Sequence, residues 1–182
     1  MSHRTLSALA AAIALATAAL PALAALKPGD AAPQFATEAA LGGKEFHFDL
    51  AEALKKGPVV LYFYPKSFTA GCTAEAHLFA ESTDKFAALG ATVVGISNDS
   101  IETQKKFSTL ECRDKFAVAA DHDTAIAKQY DAKLVAMPMA DRISYVISPD
   151  GKILYSFASM DPQNHVANTM KAIEDWKASH AH

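Results

Sequence analysis

Two uninterrupted apolar runs dominate the interior of the chain. Pro58-Val-Val-Leu-Tyr-Phe-Tyr64 and Ala91-Thr-Val-Val-Gly-Ile-Ser97 are rich in β-branched and aromatic residues and lack polar alternation. That pattern predicts strands covered on both faces. Residues 116–120 predict a third strand, and Phe46 and Phe48, alternating with polar neighbours in residues 45–49, predict another short one. Helical patterns lie between them. A short helix is expected over residues 50–56, with Asp49 as N-cap and Gly57 as its stop. A longer one starts near Cys72 and runs with breaks to about Leu89, where Gly90 ends it. A third starts near Ser100 with Ile101, Phe107 and Leu110 on its apolar side, and a fourth spans residues 124–130.

Residues 143–148 and 152–157 alternate apolar and polar positions around Pro149-Asp150-Gly151. This is a hairpin signal, since glycine takes the positive φ that closes the turn. Asp161 and Pro162 predict the N-cap and first turn of a last helix reaching about Lys177. Strands alternating with helices, followed by a hairpin and a closing helix, predict an α/β fold with a central mixed β-sheet flanked by helices. That is the thioredoxin-like arrangement.

Residues 1–24 differ from the rest. They contain ten alanines, a single charged residue, Arg4, and an apolar run from Leu6 to Leu20 followed by Pro21 and Ala22-Leu23-Ala24. A basic start, an apolar stretch and a small-residue cleavage pattern read as a secretory signal peptide, with a retained membrane anchor as the alternative. The remaining residues, 25–182, contain no internal repeat or long linker and read as one domain. Residues 26–33 form an irregular lead-in, because two prolines and a glycine there prevent a helix.

Composition narrows the function. The chain has 182 residues, 51% apolar and 20% charged, with a formal net charge of −3. It is long enough to bury a core without disulfide scaffolding. The charge balance excludes the basic face that a nucleic-acid binder needs. Two cysteines and no Cys-x-x-Cys pair exclude a four-cysteine zinc site, and no His-x-x-x-His or His-Glu-x-x-His pattern occurs. Neither a metal nor a cofactor is expected.

The candidate chemistry starts at Cys72. It follows a strand end and the turn-rich Lys66-Ser-Phe-Thr-Ala-Gly71, and it precedes a helix-forming run. A thiol in the first turn of a helix faces unpaired N–H groups and the positive end of the helix dipole, which favour the reactive thiolate. A small buried apolar residue is the other reading of a free cysteine, and position alone does not separate the two.

The neighbours of Cys72 do. Pro65-Lys-Ser-Phe-Thr69-Ala-Gly-Cys72 has the P-x-x-x-T-x-x-C pattern and resembles the peroxiredoxins. The longer stretch Phe63-Tyr-Pro-Lys-Ser-Phe-Thr-Ala-Gly-Cys-Thr-Ala-Glu-Ala76 is similar to the subgroup named after the bacterioferritin comigratory protein. The likeness extends through Val94-Gly-Ile-Ser-Asn-Asp-Ser100, residues 142–153, and Asp161-Pro162 to His165. The resemblance implies a thiol-dependent peroxidase acting on hydrogen peroxide and organic hydroperoxides. Cys72 is then the peroxidatic nucleophile that becomes a sulfenic acid.

The resemblance also gives roles to the neighbours. Thr69 offers a hydroxyl to the thiolate or the peroxide, and Pro65 shields the thiolate from water. Arg142 supplies a cation with a planar donor fork for the thiolate and the leaving oxygen; a surface arginine in an ordinary ion pair is its alternative reading. Glu75 helps hold the arginine, although a glutamate in a first helical turn is favourable for the dipole alone.

One departure concerns resolution of the sulfenic acid. Many members of the subgroup carry a resolving cysteine five residues after the peroxidatic one, where this chain has His77. The other thiol, Cys112, lies 40 residues after Cys72, near the end of the helix that starts at Ser100. Other members place a resolving cysteine in this helix, at a position aligned with Ser108, one turn earlier. Cys112 is therefore the candidate resolving cysteine, with a buried structural thiol as the alternative.

Bridging requires Cα atoms within roughly 7 Å. The expectation is that the turn around Cys72 and the end of the Ser100 helix unwind together during turnover. The implied partners are a hydroperoxide and a thioredoxin-like dithiol reductant. No nucleic acid and no stable membrane association after signal cleavage are expected, and the chain is expected to be a monomer or weak homodimer exported to a bacterial periplasm. Two other readings remain at this point: a thioredoxin-like disulfide oxidoreductase, which normally has paired cysteines where this chain has Thr69 and Glu75, and a non-catalytic domain with a structural Cys72–Cys112 disulfide.

Overall fold

The computed structural model describes residues 25–180, so the leader expected at residues 1–24 lies outside the described residues. Seven strands form one mixed sheet: β1 (Ala36–Leu41), β2 (Lys44–Asp49), β3 (Val59–Phe63), β4 (Thr92–Ser97), β5 (Ala117–Ala120), β6 (Ile143–Ile147) and β7 (Ile153–Ala158). Their order across the sheet is β2-β1-β5-β4-β3-β6-β7. The three central strands, β5, β4 and β3, are parallel, and the pairings outside them are antiparallel. Five helices complete the fold: α1 (Leu50–Leu54), α2 (Ala70–Ala88), α3 (Ile101–Leu110), α4 (Ala125–Gln129) and α5 (His165–His180). The arrangement is the expected thioredoxin-like α/β fold.

Period-two alternation divides the strands between two cores. Val59, Leu61 and Phe63 of β3 join Val94, Ile96, Ile143, Tyr145 and Ile147 on the face covered by α1 and α4. Val60, Tyr62 and Tyr64 face the other way with Val93, Val118 and Val146, against Phe79 and Phe86 of α2, Phe107 of α3 and Ile173 of α5. Both faces of β3 are thus fully buried, which explains its unbroken apolar run. The same parity puts Arg142 and Ser144, four and two positions before Val146, on the α2 face.

Helix starts follow local chemistry. Asp49 Oδ1 accepts from the Glu52 N–H at 3.2 Å, and Ser100 Oγ accepts from the Thr103 N–H at 3.3 Å, capping α1 and α3. The β6–β7 turn falls at residues 149–151, with Gly151 at φ +75°.

Two expectations are corrected, and one strand was not expected. α5 begins at His165 and not at Pro162, because Asp161 instead accepts from the Gln163 N–H and Asn164 takes a left-handed φ of +70°. The Asn164 carbonyl then receives the first helical bond, from Asn168. Leu110 is 64% exposed; the buried positions of α3 are Gln104, Phe107 and Ser108. Strand β1 has no counterpart in the hydrophobic pattern, since it is built largely on Ala36, Ala39 and Ala40.

Candidate active site

Cys72 is the third residue of α2. Thr69 stands at the N-cap in extended conformation, and its carbonyl accepts from the Thr73 N–H at 2.8 Å. The helix therefore begins just ahead of the thiol, and Cys72 is buried with 2% exposure.

The approach to this turn is fixed by a buried polar network. The Ser67 N–H donates to Asp99 Oδ2 at 2.7 Å, and that oxygen also accepts from Ser97 Oγ at 2.7 Å. Tyr64 Oη donates to Gln104 Oε1 at 2.7 Å, while Gln104 Nε2 donates to Ser97 Oγ and to the Ala119 carbonyl. The loop before α2 is thereby tied to the ends of β4 and β5 and to the start of α3. Each buried polar atom in the network gains a partner that offsets its desolvation.

Arg142 enters from the residue before β6 and is buried. One terminal nitrogen donates to Cys72 Sγ at 3.3 Å, the other donates to Glu75 Oε2, and Nε donates to the Met160 carbonyl at 3.1 Å. Each of the three guanidinium nitrogens thus has a partner, which orients its plane. Burial opposes its charge, but Glu75 and Cys72 outweigh that and hold its pKa above the usual value. Gly71 leaves room for this approach, since a Cβ there would lie 3.1 Å from the Arg142 terminal nitrogen.

Glu75 lies one turn beyond Cys72 and is fully buried. Burial pushes its carboxyl up to about 8, against the opposing pull of Arg142. Behind it stands His165, the first residue of α5, with Nδ1 2.8 Å from Ser144 Oγ and Nε2 3.0 Å from the Ser159 carbonyl. Burial lowers the His165 pKa.

Residues 28–156 match the model of the AhpC/TSA family. The chain belongs to that family. It is 32% identical to a chloroplastic peroxiredoxin Q of Triticum aestivum over 66% of this chain and 56% of that one, so it spans little more than half of the wheat protein. It is 30% identical to peroxiredoxin Bcp of Bacillus subtilis over 64% of this chain and 78% of the relative. The crystal structure of peroxidoxin BcpB from Mycobacterium tuberculosis superposes with a TM-score of 0.75 at 30% identity, covering 82% of this chain and 97% of that one.

In this AhpC/TSA chain the residues singled out from sequence fall into two groups. Cys72, Arg142 and Glu75 are joined directly. Thr69 is exposed and its hydroxyl donates to the Lys66 carbonyl at 3.0 Å rather than to the thiol. Pro65 is half-buried just after β3; it has no N–H, so Tyr64, donating to the Ile96 carbonyl, is the last residue to pair there.

Cys112 lies just past α3, fully buried in the same core as Cys72, and burial drives its thiol pKa far up. Both thiols are free, which departs from the structural-disulfide reading. His77 pairs with Glu111, the neighbour of Cys112, at 2.8 Å.

No site role was read from the sequence for Ser144, Ser159 or His165, although His165 lies in the stretch that carries the family likeness. Their signal was the two-residue offset of Arg142 and Ser144, which becomes legible once α5 is known to cover that face. Among the described residues, no group of three or more histidine, cysteine or acidic residues is placed to hold a metal ion, and no helix is long and apolar enough to cross a membrane.

Proposed function

We propose that the chain is a thiol-dependent peroxidase of the Q type with Cys72 as nucleophile. The contact between Cys72 Sγ and the buried Arg142 guanidinium carries this reading. The thiolate attacks the terminal oxygen of a hydroperoxide, the O–O bond breaks, Cys72 becomes a sulfenic acid, and the departing oxygen takes a proton to leave as water or an alcohol. Arg142 stabilises the thiolate before the reaction and the anionic leaving oxygen during it. Glu75 holds Arg142 from the far side. Thr69 turns its hydroxyl from the Lys66 carbonyl to the peroxide when substrate enters, and Pro65 limits water at the sulfur.

Cys112 then attacks the sulfenic sulfur, releasing water and forming the Cys72–Cys112 disulfide. A thioredoxin-like dithiol reduces that disulfide and is itself oxidised. Because Cys112 is buried, this step requires α2 to unwind at its first turn together with the segment after α3. The protein acts as a monomer or weak homodimer, and residues 1–24 direct its export to a periplasm.

A peroxide-consumption assay coupled to a thioredoxin system tests the reading. Wild type turns over. Cys72→Ser is inactive, and Cys112→Ser consumes about one equivalent and stops. Steady turnover by Cys72→Ser would refute it. Sequencing the N-terminus of the mature protein tests the leader, with Ala25 expected first.

A further inference from the structure

Behind Arg142 lies a buried acid–base pair, Glu75 and His165, whose proton the peroxidase cycle described above does not use. Glu75 Oε2 is held by Arg142, but Glu75 Oε1 is buried without a hydrogen-bond partner. His165 Nδ1 lies 3.6 Å from it, too long for a hydrogen bond. The other ring nitrogen, Nε2, faces a carbonyl oxygen at 3.0 Å, and a carbonyl only accepts, so Nε2 carries a hydrogen. Nδ1 is then the variable position. In the neutral ring it accepts from Ser144 Oγ, and its lone pair also borders Oε1; in the charged ring its hydrogen reaches toward both oxygens.

The charges around the site restrict these options. With Cys72 as thiolate, a single cation, Arg142, faces two anions, Cys72 and an ionised Glu75, and all three side chains are almost wholly shielded from water. An uncompensated buried anion is strongly disfavoured. The remaining charged or titratable groups facing the pair are Asp161, ahead of α5, and the Tyr62 hydroxyl from β3, and neither supplies a positive charge.

We infer that Glu75 and His165 together hold one proton beside the Cys72 thiolate at neutral pH, and that His165 is a positioning residue that leaves the Arg142 charge to the sulfur. The proton resides on Glu75 Oε1 or on His165 Nδ1, and the two forms carry the same total charge. Losing it leaves a full carboxylate that competes with the thiolate and the leaving oxygen for Arg142. Ser144 tunes the arrangement by donating to Nδ1 and occupying the lone pair that Oε1 would otherwise use. The rise in the Glu75 pKa on burial, to about 8, points the same way.

The inference rests on Cys72 being the peroxidatic cysteine, yet its direct test needs no peroxide. In the reduced protein, the Glu75 carboxyl carbon and the His165 ring nitrogens are followed by NMR from about pH 5 to about pH 10. The expected result is one proton on the pair through neutral pH, lost near pH 8. A Glu75 carboxylate beside a neutral His165 at neutral pH would overturn the inference.

Two variants connect the pair to the reaction. Ser144→Ala frees Nδ1 and is expected to move the midpoint to higher pH. The alkaline fall in the rate of sulfenic acid formation should move with it. His165→Asn should shift or abolish that fall. Unchanged midpoints in both variants, whatever their rates, would leave His165 a structural role only and refute the proposal. If the NMR midpoint appears as expected while no peroxide is consumed at any pH, the peroxidase reading fails and the proton-holding pair stands.

Discussion

The guanidinium of Arg142 spans from the Cys72 sulfur to the Glu75 carboxylate, joining the first and second turns of α2 to the start of β6. This bridge gives the site its polarity: the cation faces the sulfur on one side and is braced by a buried acid on the other. Its position depends on a glycine. A Cβ at residue 71 would lie 3.1 Å from the guanidinium nitrogen that contacts the thiol.

Gly71→Ala should therefore separate stability from activity. Alanine is the better helix former, by up to about 1 kcal/mol, which opposes the cost of shifting the buried Arg142, so the melting temperature should change little. Displacing Arg142 should slow sulfenic acid formation about tenfold or more, given the cost of small misplacements in a catalytic site. Stopped-flow kinetics with calorimetry test this. An unchanged rate would mean that the arginine contact does not govern the thiol.

The segment carrying Cys112 is clipped to α2 by a hydrogen-bonded contact, Glu111 with His77, and two ion pairs, Arg113 with Glu81 and Lys115 with Asp84. Arg113 and Asp114 both have left-handed φ values, which non-glycine residues adopt at a cost of about 1 kcal/mol each. Releasing the clip relieves that strain and frees Cys112. Pairs this exposed are worth about 0–1 kcal/mol each and are screened by salt. Disulfide formation after oxidation of Cys72 should therefore speed up a few-fold in high salt and in Glu111→Gln. A rate unaffected by both would mean that the clip is not part of the opening.

Glu75 gives stability a definite pH trend. Its folded pKa of about 8 lies above its ordinary value of 4.5, so the folded state binds the proton more tightly. The stabilisation linked to this proton is complete below about pH 4.5 and is lost as pH rises through about 8. Glu75→Gln has no proton to lose. Urea unfolding across this range should show wild type losing stability relative to Glu75→Gln as pH rises; the opposite trend would mean that the carboxylate is stabilised in the folded protein.

Tyr62 carries a hydroxyl buried with no hydrogen-bond partner, while its ring stacks on Phe79 at 4.4 Å. Phenylalanine would keep the stack and remove the unsatisfied group. Tyr62→Phe is expected to raise stability by about 1 kcal/mol, or about 2–4 °C in melting temperature. Destabilisation would show that the hydroxyl has a partner in solution.

What could be read from the sequence was local. The strand at residues 59–63, the Pro149-Asp150-Gly151 turn and the helix start before Cys72 each declare themselves within a few residues, through β-branched runs, turn chemistry and caps. β1 did not, because alanines have weak strand preference and its burial comes from pairing with β2 and β5. Its clearest signal was the Gly42-Gly43 pair joining it to β2. Gln104 and Ser108 looked like the polar side of a helix, yet both are buried, Gln104 bonded to Tyr64 and Ser97 and Ser108 to the Gly43 N–H. The residues joining α5 to the site are far apart in sequence; only the packing of that helix over β6 and β7 brings His165 beside Glu75.

The central claim is that Cys72 is an activated nucleophile and Cys112 its resolving partner. Intact-mass measurement with peptide mapping, before and after one equivalent of hydrogen peroxide, tests it most directly. The account predicts that the reduced protein loses two hydrogens as the Cys72–Cys112 disulfide forms, and that Cys112→Ser instead gains one oxygen on Cys72. No mass change at that dose, or oxidation first at Cys112, would contradict it.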